Sequence, residues 1–306
     1  MQPRRSSESP PAARDGCRPA DGRWPTAATT IVGVIGEPVC HSLSPLLHNT
    51  AFGVLGLDWV SVGFPVPTGG AAGALAGMRA LRIAGLSVTM PHKGAVAELV
   101  DERTPVAEQL GAVNCVRWIG NRLVGDNTDG AGFLEGLRRG AEFDPRDART
   151  MVVGAGGGAR AVVLALEGAG AAEVVVVSRT RERAEAAAAL AGARGRAGSA
   201  AEATGMDLVV DATPVGMGGL ATGEPIVDAA SLGPGQVAVD LVYYPPVTPW
   251  LETAAARGAT VVGGLGMLVH QAEAQLAAWT GAVPPVEAMW EAAVQALGGE
   301  QALRAR

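Results

Sequence analysis

Residues 30–35 form an apolar, β-branched run that closes on Gly36 and Pro38, and the pair Ser44-Pro45 then opens a stretch with apolar positions at Leu46, Leu47, Ala51, Phe52 and Leu55. The first pattern predicts a strand. The second, with serine as N-cap and proline at the first helical position, predicts a helix. Residues 60–66 and 83–88 read as further strands on either side of an Ala/Gly/Leu helix over 70–81. Residues 113–119 and 123–124 flank Gly120-Asn121, a two-residue hairpin signal, so the first sheet should be mixed. From Thr150 onward the pattern becomes more regular. The runs at 151–153, Glu173–Val177, 207–212 and 237–241 are apolar and mostly valine, without alternation, as strands covered on both faces should be. Helical stretches at 159–168 and 181–191 separate the first three. A short strand at Thr260–Val262 precedes a helix over 267–279 that puts Leu268, Gln271, Ala272, Gln275, Leu276 and Trp279 on one face. Gln271 is a polar residue on that apolar face. The β-α alternation in both halves gives an α/β fold class.

Composition adds scale and exclusions. The chain has 306 residues, 48% of them apolar and 18% charged, enough for two cores of ordinary size. Aromatics at only 4% favour close helix-on-strand packing over an aromatic-rich sandwich. A net charge of −6 disfavours a nucleic-acid partner. Cys17, Cys40 and Cys115 are scattered without CxxC spacing, which indicates neither a disulfide framework nor a zinc site and fits a reducing cytoplasm. His41, His48, His92 and His270 include no pair at ligand spacing with an acidic third member and read as hydrogen-bonded loop or helix residues, so no metal is expected. Trp59, Trp250 and Trp279 read as packing residues. Residues 1–27, rich in Pro, Arg, Ser and Asp, read as a disordered extension with no apolar run fit for a signal peptide or a membrane span.

The chemistry begins at Gly154-Ala155-Gly156-Gly157-Gly158-Ala159, which follows a predicted strand and opens a predicted helix. In that context glycines let the backbone approach a pyrophosphate, whose charge the helix N-terminus stabilises. After the next strand, where an acidic residue would bind the ribose hydroxyls of NAD, stand Ser178-Arg179-Thr180 and then Arg183. A carboxylate there would repel a 2′-phosphate, whereas guanidinium and hydroxyl groups bind one, so the expected cofactor is NADP. The loop 211–217 leaves another strand at its carboxyl end, where ligands sit in open α/β sheets, although alone it reads as a Pro/Gly turn. Ahead of these motifs Lys93 closes SVTMPHK and Asp129 lies in GDNTDG. Taken alone, Lys93 reads as an exposed surface lysine. A lysine and a carboxylate on two loops ahead of a nucleotide motif point instead to proton transfer coupled to a cofactor.

These motifs resemble those of the shikimate dehydrogenase family. The resemblance runs from about residue 30 to about residue 280 through HSLSPLLHN (41–49), SVTMPHK (87–93), GAVNC (111–115), GDNTDG (125–130), GAGGGAR (154–160), SRT (178–180), ATPVGM (212–217), DLVYYP (240–245) and GLGMLVHQ (264–271). It implies NADP-dependent, reversible reduction of 3-dehydroshikimate to shikimate, a step toward chorismate and the aromatic amino acids. It also implies two domains around a cleft: an α/β substrate-binding and catalytic domain with a mostly parallel sheet, at 28–130 plus 266–306, and a Rossmann-like NADP-binding domain at 131–265. By motif position Lys93 and Asp129 are the catalytic residues. Ser42 and Ser44 bind the substrate carboxylate with help from Tyr243, and Thr89, Lys93, Asn114, Asp129 and Gln271 bind the ring hydroxyls. Gly154, Gly156 and Gly157 hold the pyrophosphate, Ser178, Arg179, Thr180 and Arg183 the 2′-phosphate end, and Met217, Gly264 and Met267 the nicotinamide.

A polyhydroxylated ring acid needs several fixed donors and acceptors, and a site built to pair hydroxyls rejects analogues that lack them. Lys93 beside Asp129 would stabilise the charge growing on the carbonyl oxygen and donate a proton to it. Three positions depart from the family pattern: Ser87 and Ser178 where asparagine is common, and Pro214 where serine is common. Open alternatives are a quinate or quinate/shikimate dehydrogenase, with NAD open as its cofactor, an aminoshikimate dehydrogenase, and a non-catalytic NADP(H)-binding regulator on the same fold. The expected partner is a small-molecule substrate, with no nucleic acid and no membrane, for a monomer or homodimer. Domain closure about the glycines at 130–132 and 263–266 is also expected.

Overall fold

Residues 24–218 and 223–299 are described by the computed structural model; the extension expected over 1–27 lies, as far as residue 23, outside the described residues. The first sheet uses β1 (Thr30–Gly36), α1 (Ser44–Leu55), β2 (Trp59–Pro65), α2 (Ala71–Leu81), β3 (Gly85–Val88), α3 (Lys93–Leu99), β4 (Glu102–Arg103), α4 (Pro105–Leu110), β5 (Cys115–Ile119) and β6 (Arg122–Asp126). Its order is β2-β1-β3-β5-β6-β4. β1 runs parallel to β2 and β3, whereas β5 is antiparallel to both β3 and β6. The hairpin turns at Gly120-Asn121, with Ile119 opposite Arg122, and makes the sheet mixed.

Helix α1 starts differently from the expectation. Leu43 is its N-cap and its carbonyl accepts the Leu47 N–H at 3.1 Å, so Ser44 is the first helical residue and Pro45 the second. The Ser42 hydroxyl accepts the Ser44 N–H at 3.3 Å, which leaves the Ser44 hydroxyl uncommitted to the helix.

The chain then continues through α5 (Asp129–Ala141), β7 (Arg149–Val153), α6 (Gly157–Gly168), β8 (Glu173–Val177), α7 (Arg181–Ala188), β9 (Gly195–Ala197), β10 (Leu208–Asp211), β11 (Val237–Asp240), α8 (Pro249–Ala256), β12 (Thr260–Val262), α9 (Leu265–Thr280) and α10 (Val286–Ala296). The second sheet is wholly parallel, in the order β12-β11-β10-β7-β8-β9. The helix expected over 181–191 ends at Ala188. A 3-10 turn at Ala189–Arg194 follows and breaks at Gly192, whose φ of 54° is left-handed.

The valine runs explain the layering. Val152, Val174, Val176 and Val210 pack under α5 and α6 on one face, while Met151, Val153, Val175 and Val209 pack against Leu251 and Ala254 of α8 on the other. Each such burial stabilises the fold by about 1.5–3 kcal/mol relative to exposure. The first sheet is covered by α1, α9 and α10 on one side and by α2, α3 and α4 on the other. The chain thus leaves the first sheet through α5 and returns to it through α9. These helices cross almost backbone to backbone. A Cβ on Gly132 would fall 2.6 Å from the Gln271 nitrogen and 2.8 Å from the Met267 oxygen, and one on Gly136 would fall 2.9 Å from the Met267 nitrogen.

Candidate active site

Two helix starts and one loop converge below the first sheet's carboxyl edge. α3 begins on Lys93, five residues past the end of β3, and α5 begins on Asp129, three residues past the end of β6. Between them Gly111, in left-handed conformation, caps the end of α4, and the Val113 N–H donates to the Lys93 carbonyl at 2.9 Å. Lys93 Nζ donates to Asp129 Oδ2 at 2.5 Å. Asp129 Oδ1 accepts from Asn114 Nδ2 at 2.7 Å, and the Asp129 N–H donates to Asn127 Oδ1 at 3.1 Å. The carboxylate is 7% exposed and held at both oxygens, while the lysine is 21% exposed and uses one of its three donors here. A fixed anion holding a partly exposed ammonium can stabilise and protonate a developing oxyanion.

Asn114 Oδ1 accepts the Thr128 N–H at 2.8 Å, and Thr128 Oγ1 donates to the Gln271 carbonyl at 3.1 Å. Gln275 Nε2 donates to Gln271 Oε1 at 2.8 Å and to the Asn114 carbonyl at 3.2 Å. Lys93, Asn114, Asp129 and Gln271 therefore form one network, closed by Thr128 and Gln275. Neither of the last two is among the expected site residues, although Thr128 lies inside GDNTDG and Gln275 one turn beyond Gln271.

Among the described residues Ser42, Ser44, Thr89 and Tyr243 have no side-chain hydrogen bond to this network. Ser44 is buried and Ser42 half-buried at the start of α1, and Thr89 packs against Gly36. Tyr243 follows β11 yet packs on the cluster of α1 and α9, where burial pushes its phenol up. Among the described residues the hydroxyls of Ser44, Thr89 and Tyr243 carry no hydrogen bond, which leaves them free for a ligand. Ser87 is buried in β3 opposite Cys115.

The residues expected to bind the cofactor lie along the carboxyl ends of the second sheet, where the strand order reverses direction at β7. Gly154 has φ 111°, and a Cβ on it would fall 3.1 Å from the Ala212 oxygen. Gly156 is the N-cap of α6 and Gly157 its first residue. Both are exposed with nothing within 4 Å of a Cβ, beside N–H groups that a helix leaves unpaired. Arg179 and Arg183 are exposed and have no ion-pair partner among the described residues, while Arg181 pairs with Glu185 at 2.8 Å. Ser178 and Thr180 stand where β8 ends, with no carboxylate between them and Arg179. These features fit a dinucleotide with a 2′-phosphate. Met217 follows β10, and Met267 lies in the first turn of α9. Gly264 has a packing reason of its own: a Cβ there would fall 2.1 Å from the Leu241 oxygen.

Two buried carboxylates at this edge escaped the sequence reading. Asp211 and Asp240 end β10 and β11 in register. Asp240 accepts from the Val242 N–H at 2.9 Å and the Thr248 hydroxyl at 2.7 Å, and Asp211 accepts from the Thr213 N–H at 2.8 Å. Burial, with the charge of Asp211 adding to it, pushes Asp240 up to about 7. A separate pocket of about 270 Å3 is lined by Arg139, His270, Glu287 and Trp290 among others and by no expected site residue. Its polar groups are already paired, Arg139 with Glu135 and Glu287, and His270 Nδ1 by a hydrogen bond with Glu273.

The sequence matches the shikimate dehydrogenase substrate binding domain over residues 34–116, the shikimate/quinate 5-dehydrogenase family over 139–230 and the shikimate 5′-dehydrogenase C-terminal domain over 264–294. It is 46% identical to a shikimate dehydrogenase (NADP(+)) of Methanopyrus kandleri, over 89% of this chain and 97% of that one. The chain belongs to the shikimate dehydrogenase family. Solved structures of the shikimate dehydrogenase family agree in fold. One, a shikimate dehydrogenase in complex with NADP+, superposes with a TM-score of 0.85 at 35% identity, covering 90% of this chain and 98% of that one. Another, shikimate 5-dehydrogenase from Thermus thermophilus in complex with NADP(H) and shikimate, gives 0.81 at 38% identity over 88% and 100%.

Proposed function

We propose that this protein is an NADP-dependent shikimate dehydrogenase that reversibly reduces 3-dehydroshikimate to shikimate in the route to chorismate and the aromatic amino acids. The observation that carries the reading is the Lys93–Asp129 pair at 2.5 Å, with Asn114 on the second carboxylate oxygen. Residues 28–130 and 266–306 bind substrate, and residues 131–265 bind the cofactor. Bound NADP(H) supplies or takes up the hydride. Lys93 donates the proton to the ring carbonyl oxygen and retrieves it in the reverse direction, while Asp129 keeps the ammonium aimed. Thr89, Asn114 and Gln271 complete recognition of the ring hydroxyls. The hydroxyls of Ser42, Ser44 and Tyr243 take the substrate carboxylate. Gly154, Gly156 and Gly157 admit the pyrophosphate to the start of α6. Arg179 and Arg183, with Ser178 and Thr180, bind the 2′-phosphate. Met217, Gly264 and Met267 bound the nicotinamide.

The reading includes a cytoplasmic enzyme, monomer or homodimer, whose partner is its substrate. The net charge of −6 supports the absence of a nucleic-acid partner. Among the described residues no helix is long and apolar enough to cross a membrane. Measuring kcat/KM of the purified protein for shikimate and quinate, each with NADP+ and NAD+, tests class, substrate and cofactor together. Preference for shikimate with NADP+ is expected. Preference for quinate or NAD+ would replace the substrate or cofactor assignment, and no turnover would revive the regulator.

A further inference from the structure

We propose that Arg160 is a positioning residue that ties the cofactor's seat to the catalytic pair. This rests on the function proposed above. Arg160 lies just inside α6, its N–H donating to the Gly156 carbonyl at 2.9 Å. Its side chain leaves the second sheet's layer altogether. Nη2 crosses to the carbonyl of Leu110, at 3.0 Å, the last residue of α4 in the other layer. That carbonyl is one a helix end leaves without an intrahelical partner, and a cation suits the negative end of the α4 dipole. Among the described residues Arg160 has no carboxylate partner.

The segment beyond Leu110 gives the contact its consequence. Gly111 turns the chain, the Ala112 carbonyl accepts from Asn127 Nδ2 at 3.0 Å, and the Val113 N–H donates to the Lys93 carbonyl at 2.9 Å. Asn114 then holds the Asp129 carboxylate at 2.7 Å. A displacement at Leu110 therefore reaches both members of the pair within four residues. Helix α6 also backs directly onto the other side of the site: a Cβ on Gly130, next to Asp129, would fall 3.1 Å from the Ala161 oxygen and 3.0 Å from the Ala165 Cβ. The helix whose exposed N-terminus is the pyrophosphate seat thus touches the catalytic elements at two points, one through Arg160. Occupancy of the seat and the geometry of Lys93, Asn114 and Asp129 are coupled, and by linkage substrate binding must favour cofactor binding by the same factor.

The test compares wild type, Arg160→Ala and Arg160→Lys. Turnover is measured with shikimate and NADP+, and shikimate affinity is measured by calorimetry with and without NADPH, a pair that cannot react. Wild type should bind shikimate about 5-fold or more tightly with NADPH present, the lower end of ordinary coupling. In Arg160→Ala that ratio should fall toward one, and kcat should drop about tenfold or more, as misaligned reacting groups require. The Kd for NADPH without shikimate should stay within about threefold, because the group lost is not a cofactor ligand, whereas with shikimate present it should weaken by the lost coupling factor. Arg160→Lys, which keeps a donor for the Leu110 carbonyl, should recover much of both, which a merely lower melting temperature would not explain. A variant Arg160→Ala with wild-type kcat and coupling overturns the proposal, and so does one that weakens only the binding of NADPH alone, which would make Arg160 a phosphate ligand. No shikimate-dependent NADP+ reduction by wild type would instead overturn the functional reading.

Discussion

Replacing Gly132 by alanine puts a methyl group into the crossing of α5 and α9. The new Cβ would lie 2.6 Å from the Gln271 nitrogen, 2.8 Å from the Gln271 Cβ and 2.8 Å from the Met267 oxygen. These distances are about 1 Å inside the roughly 3.5–4 Å of relaxed contact. Two of the three atoms are α9 backbone, so no side-chain rotation relieves the clash and the helices must separate by on the order of 1 Å. Overpacking of this kind costs about 1–3 kcal/mol, against about 1 kcal/mol gained when alanine replaces a helical glycine. A net loss of up to about 2 kcal/mol lowers the melting temperature by at most roughly 4–8 °C in a protein of this size. Turnover should suffer more than stability. Asp129 lies three residues before Gly132 and Gln271 directly across it, and a shift of about 1 Å can cost about 10²-fold in rate. Gly73→Ala in α2 is the matched control, because nothing lies within 4 Å of a Cβ there. It should melt slightly higher than wild type and turn over normally. Calorimetric melting and absorbance assays of NADPH on all three proteins decide the matter. A Gly132→Ala protein that melts as high as Gly73→Ala and keeps wild-type kcat would mean that the crossing accommodates the methyl group without displacing α5 or α9.

Asp240, raised from 3.8 to about 7 mainly by burial, favours the fold most when protonated. Its contribution is full below pH 3.8 and is lost as pH rises toward 7. Asp240→Asn should remove that slope in urea unfolding across this window, and equal slopes in the two proteins would argue against it. Lys93→Ala should lower kcat by about 10²-fold or more, the scale of a positioned proton donor, with a smaller change in KM; near-normal kcat would remove Lys93 from the mechanism. Arg179→Ala and Arg183→Ala should each raise the KM for NADP+ about tenfold while leaving that for NAD+ nearly unchanged, since a charge-assisted bond contributes about 1.5–3 kcal/mol. Equal effects on both cofactors would show that neither arginine reads the 2′-phosphate.

Elements buried on both faces were legible in the sequence because continuous valine runs admit few other structures. The hairpin at Gly120-Asn121 and the apolar face of α9 were legible for equally local reasons. Helix α5 was not. Its sequence carries Gly130, Gly132, Gly136 and Gly140, which by propensity read as loop, yet Gly132 and Gly136 are where α9 comes closest. Tertiary packing overrode local preference there. The site divides in the same way. Lys93 and Asp129, 36 residues apart, could be paired because each stood in a recognisable motif. The bond from Thr128 to the Gln271 carbonyl spans 143 residues, and no local pattern announces it. Asp211 and Asp240 stayed hidden for a different reason: a carboxylate ending a strand looks exposed until both neighbouring strands are known.

The placement of Lys93 breaks a local rule. It is the first residue of the seven-residue α3, where the helix dipole disfavours a cation, and no acidic residue occupies that first turn. Asp129 obeys the rule, as the acidic first residue of α5. The dipole of α3 disfavours Lys93 by about 0.3–1 kcal/mol at an exposed helix end, and the carboxylate supplied by a different helix offsets it. The ammonium is therefore held by Asp129 and not by its own segment. That arrangement lets a strained local choice persist. It also makes the position of Lys93 depend on everything that fixes Asp129: Asn114 on one oxygen, Asn127 on the backbone N–H, and the α5 start packed between α6 and α9. On the function proposed above, a proton donor positioned through its partner is one whose placement responds to cofactor binding on α6.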